Sequence, residues 1–320
     1  MTEYNDILYI VVPCYNEEAV LHETSKRLKE KMTALINDKK ISDKSRVLFV
    51  DDGSKDKTWE IIEELHDNDD LFSGLKLSRN KGHQNALLAG LMTAKELADI
   101  SISMDADLQD DINVVDQFVD KYHDGCDIVY GVRSSRKTDT AFKRGTAGMF
   151  YKFMRLLGVD IIDNHADYRL ISKRALEALS QFKEVNLFLR GIVKQIGFKS
   201  DIVYYERSER FAGESKYPLK KMLAFAFDGI TSFSVKPIRL VTVVGFLVFL
   251  VSVAMIIYAI VQNCLGGNTE AGWSSLMCSI WFLSGLQIMA LGIVGEYIGK
   301  IYIEVKARPK YIIDKFINKQ

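Results

Sequence analysis

The segment DISISMDADLQDD, residues 99–111, sets a short apolar run directly against a cluster of oxygen ligands. Asp99 to Met104 reads as a buried strand. Asp105, Asp107, Gln109, Asp110 and Asp111 follow it, each with an oxygen able to bind a metal. Asp105 and Asp107 are two residues apart, so persisting strand geometry points both the same way. Hard oxygen donors suit Mg²⁺ or Mn²⁺, ions that keep few protein ligands and bind substrate phosphates as well. A calcium loop of the EF-hand kind is excluded, because its sixth position would need Gly and its twelfth, here Asp116, would need Glu. A solvated turn and a substrate-metal site both remain open at this point.

Upstream, strand and helix patterns alternate. Ile7 to Val12, Arg46 to Val50 and Gly74 to Leu77 are continuous or short apolar runs of the buried-strand kind. Helical spacing follows in Glu18 to Ile36, Lys57 to His66, Gln84 to Leu97 and, after the acidic loop, Val114 to Tyr122. Asp127 to Val132 reads as a fifth strand. Such alternation predicts an α/β fold, a mostly parallel sheet with helices on both faces. Ligands of these folds bind outside the carboxyl ends of the strands. The four polar clusters PCYNEE, DDGSKDKT, SRNKGHQN and DADLQDD all fall at those ends and so face one crevice.

Several chemistries lack their signatures. No G-x-G-x-x-G follows the first strand and no G-x-x-x-x-G-K-[ST] occurs, which removes the main support for dinucleotide and P-loop sites. There is no H-E-x-x-H and no Cys/His cluster, so zinc is not expected. Cys14, Cys126, Cys264 and Cys278 have no C-x-x-C spacing and fit free thiols in a reducing compartment. The N-terminal MTEYNDILYI is acidic and has no basic region before a long apolar core, so no signal peptide is expected.

The neutral net charge conceals a division of the chain. From Leu240 to Gly295 the only charged residue is Glu270, and the uncharged runs on either side, 240–261 and 271–295, each exceed the ~20 residues that cross a bilayer core as a helix. Two transmembrane helices, about 240–261 and 272–295, are therefore expected within 238–298. Lys216, Lys220, Lys221, Lys236 and Arg239 precede them, Lys300, Lys306, Arg308 and Lys310 follow, and the loop between has neither Lys nor Arg. The positive-inside rule then places both termini in the cytoplasm. Residues 206–239 and 296–320 each carry a net +3, which with Glu270 leaves 1–205 at −5. Tyr217 to Phe233 reads as an amphipathic helix lying at the membrane interface, within a juxtamembrane segment 216–237. Residues 1–215 form the expected cytoplasmic catalytic domain and 299–320 a basic cytoplasmic tail. The partners are then a lipid bilayer and small molecules, not nucleic acid.

Taken in order, VPCYNEE, VDDGSKDKT, SRNKGHQNALLAG and DADLQDD resemble the family 2 glycosyltransferases with a GT-A fold over residues 7–135. ADYRLISKRAL (166–176), ERFAGESKYPLKKM and the terminal hairpin are similar to the polyprenyl-phosphate sugar transferases, among them bactoprenol glucosyltransferases and dolichol-phosphate mannose synthases. The resemblance implies a GT-A, Rossmann-like sheet and a transfer of hexose from a nucleotide sugar to a polyprenyl (undecaprenyl) phosphate, with inversion. It favours UDP-glucose and leaves GDP-mannose and other UDP-hexoses open; a non-catalytic nucleotide-binding scaffold is the reading from another class. A processive synthase would carry Q-x-x-R-W and more spans, and the sequence has neither. A hairpin of this type is also compatible with a homo-oligomer.

The resemblance also implies site roles. Pro13, Tyr15, Asn16 and Glu17 would line the nucleotide, with Asp51 or Asp52 at the base edge and Lys81, Asp105 and Ala106 close by. Asp105, Asp107 and Gln109 would hold the Mg²⁺ or Mn²⁺. Asp51 has the alternative of capping the turn at Gly53, and Asp110 with Asp111 reads as a cap for the next helix. Asp167 stands at the candidate-base position. Arg133 and Arg144 match acceptor-phosphate positions, and Arg210 and Lys216 belong to an acceptor loop. A lipid phosphate needs no strict base, since its second pKa is about 6. If Asp167 removes a proton, Asp167→Asn should lose less at high pH; a pH-independent loss removes that role.

Overall fold

A computed structural model describes residues 4–134, 165–184, 188–206 and 272–319, with isolated positions and one short run between Ile238 and Val261. The chain divides into two compact units, one comprising 1–152, 160–218 and 308–320, the other 153–159 and 219–307.

The first unit is built on one eight-stranded sheet. Its strands are β1 (Leu8–Cys14), β2 (Arg46–Asp51), β3 (Phe72–Leu77), β4 (Ile100–Ser103), β5 (Ile128–Arg133), β6 (His165–Ser172), β7 (Ser200–Tyr205) and β8 (Ile313–Ile317). They lie in the order β7-β5-β6-β4-β1-β2-β3-β8. β3, β2, β1 and β4 pair in parallel, as do β5 and β7, whereas β6 and β8 run against the rest. β1 is buried along its whole length, which is what a central strand covered on both faces requires.

The helices are α1 (Leu21–Asn37), α2 (Thr58–Asn68), α3 (His83–Leu97), α4 (Val115–His123), α5 (Lys173–Ser180) and α6 (Leu189–Gln195). α1 buries Leu21, Leu28, Met32 and Leu35, one stripe at helical spacing. α3 lies so close to the sheet that a Cβ on Gly90 would stand 2.3 Å from Val11 Cγ1 and 2.7 Å from Val50 Cγ2. That approach sets the N-terminus of α3 over the carboxyl ends of β1 and β2.

The five strands and four helices expected from the sequence occur within three residues of their expected ends. Two strands came unannounced. β6 inserts between β4 and β5 and reverses direction, so β5 is not the neighbour of β4. β8 lies within the stretch 299–320, expected as a basic cytoplasmic tail, and gives part of it a place in the sheet. Residues 313–317 close the sheet beside β3, and Lys315 and Lys319 pair there with Glu63 and Asp70 at 2.6 and 3.1 Å. Gly74 makes room for β8: a Cβ there would meet Ile62 at 2.6 Å and Ile317 at 2.9 Å.

In the second unit, α7 (Trp273–Lys306) runs for 34 residues, longer than the expected second span and reaching into the expected tail. At ~1.5 Å per residue it is about 51 Å long, against ~30 Å for a hydrocarbon core. Its stretch Phe282–Lys306 contains 18 consecutive residues of mean hydropathy 1.4, none of them buried, and α7 is the one helix among the described residues apolar and long enough to cross a membrane. The amphipathic helix expected at 217–233 lies outside the described residues. Of the first span, 240–261, only scattered helical positions are described.

Candidate active site

The four polar clusters do gather at the carboxyl edge of β1–β4. The loop after β1 is stitched to the loop after β2: the Asn16 amide donates to Ser54 Oγ at 3.0 Å, the Glu17 amide to Thr58 Oγ1 at 2.9 Å, and the Lys55 amide to Asn16 Oδ1 at 2.9 Å. Asn16 takes a left-handed φ of 54° to make this turn, a conformation Asn tolerates better than most residues. Pro13 pairs with Val50 and Cys14 with Asp51 at the end of β1, and Tyr15 follows half-buried.

Asp51 and Asp52 are both buried yet differ in what they hold. Both oxygens of Asp52 accept backbone amides of the next cluster, Lys81 at 2.6 Å and Gly82 at 2.8 Å. Asp51 Oδ1 accepts from the Ser54 amide at 3.0 Å, so it does brace the turn at Gly53, while its Oδ2 has no hydrogen-bond partner among the described residues. Burial raises both carboxyls, against the bonds they accept. A buried acceptor left open is costly, on the order of 1–3 kcal/mol, and therefore marks where a donor belongs.

Antiparallel β6 completes the site. Its register pairs Ser103 with Arg169, and two residues further on that register brings Asp105 level with Asp167. His83, the first residue of α3, stands between them, its Nε2 3.7 Å from Asp105 and 3.6 Å from Asp167. Asp167 also accepts from Arg169 at 2.5 Å, Arg190 at 3.1 Å and Gln84 at 3.2 Å. Gln84 in turn accepts the Leu189 amide at 3.0 Å, tying α3 to the start of α6. Burial alone would raise Asp167, but Arg190, His83 and Arg169 outweigh it and hold its carboxyl well below the usual range. Burial likewise works against a charged His83, yet the Asp167 hydrogen bond and the charges of Asp105 and Asp167 push the imidazole up to about 9.

The acidic loop itself is a tight turn. Leu108 adopts φ 57° and Asp107 Oδ1 accepts the Gln109 amide at 3.2 Å. Thr24 holds the loop through the Ala106 carbonyl at 2.9 Å. Asp105 and Asp107 are half-buried and Gln109 is buried. The donor set is all oxygen, which fits Mg²⁺ or Mn²⁺. Among the described residues no group of three or more His, Cys, Asp or Glu is placed to hold a metal ion by itself.

Asp110 departs from the expected cap. Asp111 caps, accepting the Asn113 amide at 2.9 Å. Asp110 turns inward, where it accepts the Tyr205 hydroxyl at 2.6 Å and faces Arg133 Nη2 at 3.5 Å. Burial, then the charge of Asp105, pushes Asp110 up to about 6. Arg144, Arg210 and Lys216 lie outside the described residues. The sequence reading did not single out His83, Gln84, Arg169, Arg190 or Tyr205. SRNKGHQN and ADYRL already contained three of them, but only the β4–β6 register brings them together.

A GT-A-like sheet whose carboxyl edge gathers carboxylates, a His and two Arg defines the class as a sugar-nucleotide transferase fold. The chain belongs to glycosyl transferase family 2, which it matches over residues 9–180, and residues 236–301 match the GtrB C-terminal hairpin. It is 59% identical over 314 residues to the uncharacterized glycosyltransferase YkoT of Bacillus subtilis, covering 98% of this chain and 93% of that one. It is 41% identical over 310 residues to the SfII prophage-derived bactoprenol glucosyl transferase of Shigella flexneri, covering 96% and 97%. Among solved structures, a mannosyltransferase from Pyrobaculum calidifontis in complex with GDP-Man and Mn²⁺ is 15% identical with a TM-score of 0.46, over 96% of this chain and 89% of that one.

Proposed function

We propose that this protein transfers glucose from UDP-glucose to a polyprenyl phosphate at the cytoplasmic face of a membrane, with inversion. One observation carries this reading: the meeting of Asp105, His83 and Asp167 at the sheet edge, in a chain whose relatives include bactoprenol glucosyl transferases. Asp51, through its open Oδ2, takes the donor N–H of the base, while Asp52 shapes the Lys81–Gly82 turn. Pro13, Tyr15, Asn16 and Glu17 line the nucleotide beside it. Asp105, Asp107 and Gln109 hold a divalent ion, which when bound neutralises charge on the departing diphosphate.

The acceptor phosphate is largely dianionic at neutral pH. Its oxygen attacks the anomeric carbon, the bond from that carbon to UDP breaks, and no proton need move. Asp167, fixed by two arginines and His83, orients the site and complements positive charge growing on the sugar ring rather than removing a proton. Arg133 and Arg144 bind the acceptor phosphate, and Arg210 and Lys216 close over it.

Membrane attachment fits the same scheme. β8 belongs to the catalytic sheet, so the chain leaves that sheet after β7 and returns to it on the same side of the membrane. If α7 crosses once, a second crossing is required between Glu206 and Gly272. The uncharged run 240–261 supplies it, within the part that matches the GtrB hairpin. The exposed Phe282, Ile288, Met289 and Leu291 of α7 then face lipid.

A donor screen tests the sugar: purified protein, undecaprenyl phosphate and Mn²⁺ with UDP-glucose, UDP-galactose or GDP-mannose in turn. UDP-glucose should give the fastest formation of chloroform-extractable hexosyl lipid. Preference for GDP-mannose would replace the donor assignment.

A further inference from the structure

We propose that Tyr205 and Asp110 are positioning residues that lock Arg133 against the acidic loop and so set the acceptor-phosphate subsite. The inference rests on the reading of Arg133 as a ligand of that phosphate. Tyr205 is the last residue of β7 and Arg133 the last of β5, side by side in the parallel ladder. The Tyr205 hydroxyl donates to Asp110 at 2.6 Å and accepts from Arg133 Nε at 3.3 Å, while Arg133 Nη2 faces the same Asp110 oxygen at 3.5 Å. Asp110 and Tyr205 are each 3% exposed, so the two side chains that hold Arg133 are themselves shielded from water. The Arg133 side chain keeps 26% exposure. A guanidinium has five donors, and among the described residues these contacts fix one edge of its fork, Nε and Nη2.

The triangle also ties together the backbone on every side. Ser134 donates both its amide, at 2.8 Å, and its hydroxyl, at 3.0 Å, to the Tyr205 carbonyl. Tyr168, next to Asp167, packs edge-on against the Tyr205 ring at 5.4 Å and donates its hydroxyl to the Asp111 carbonyl at 3.0 Å. Asp110 belongs to the loop expected to hold the metal. The Tyr205 hydroxyl thus joins Arg133 to the loop that carries Asp110. A buried carboxylate with one oxygen unpartnered is an expensive way to brace a turn, and the neighbouring Asp111 already caps that turn. Holding a cation in register accounts for it.

Tyr205→Phe keeps the ring against Tyr168 and removes only the hydroxyl. In the full-length enzyme, assayed with UDP-glucose and undecaprenyl phosphate, it should raise the acceptor KM about tenfold, the scale of one hydrogen bond to a charged group. Donor KM and the rate of UDP-glucose hydrolysis without acceptor should stay within about twofold. Asp110→Asn keeps an oxygen for the hydroxyl but drops the charge facing Arg133, and should move the acceptor KM in the same direction. In an Arg133→Ala background, Tyr205→Phe should add less than about twofold, because the residues act as one unit. Equal changes in donor and acceptor KM, or full multiplication of the two single effects, would overturn the lock while leaving the role of Arg133 standing. An unchanged acceptor KM in Arg133→Ala alone would instead remove the phosphate reading itself, and the lock with it.

Discussion

Asp167 carries its charge into a place only 5% exposed, and three cations meet it there. A carboxyl held below the usual range is ionised across the working pH of a cell and accepts a proton poorly. Its stabilising effect is present above the ordinary carboxylate value of about 3.9 and fades only as pH falls through its depressed pKa. Asp167→Asn should therefore lower kcat by one factor at about pH 6.5 and about pH 7.5 alike, below the titration of His83 at about 9, on the order of 10²–10³ for a lost electrostatic group. A loss that shrinks as pH rises would restore the base role. The same scale shows what sequence could and could not say. Asp110 and Asp111 are adjacent and chemically identical, and the pattern of a cap fits both. Burial alone separates them, one turned into Tyr205 and Arg133, the other out to the Asn113 amide.

At the scale of elements, periodicity carried the reading where strands are wholly buried. β1 is a near-continuous apolar run and β4, ISIS, is buried at all four positions; polar clusters follow both, and their positions in sequence name the site directly. β6 alternates Asp167 and Arg169 on one side with Tyr168 and Leu170 on the other, a pairing of charges that looks like surface until both are found buried. β8, IDKFI, is a short edge strand whose apolar residues do not alternate and most of whose side chains are exposed, so its pattern gives no strand signal. Its partner is over two hundred residues away, and only the contact with Gly74 reveals it. The closeness of α3 to the sheet makes a direct prediction. Gly90→Ala should lower Tm, by the ~1–3 kcal/mol typical of overpacking, despite the ~1 kcal/mol that Ala gains over Gly in a helix. An unchanged or higher Tm would mean that α3 is free to move off β1 and β2.

For the whole molecule, the proposed membrane scheme requires an even number of crossings between β7 and β8, because both strands belong to one sheet. The scheme places Cys264 in the loop between the two spans and the C-terminus with the catalytic sheet. In intact cells, a membrane-impermeant maleimide should label Cys264 and should spare a cysteine appended after Gln320. Labelling of the appended cysteine alone would reverse the topology, and labelling of both would break the parity.

The central claim is sugar transfer to a lipid phosphate, and it is tested most directly by following radiolabelled glucose from UDP-glucose into the chloroform phase. Purified full-length protein should produce labelled lipid only when undecaprenyl phosphate is added. EDTA should abolish the product and Mg²⁺ or Mn²⁺ should restore it. Label that stays in the aqueous phase with every common nucleotide sugar, in protein that is folded and supplied with metal, would contradict the account.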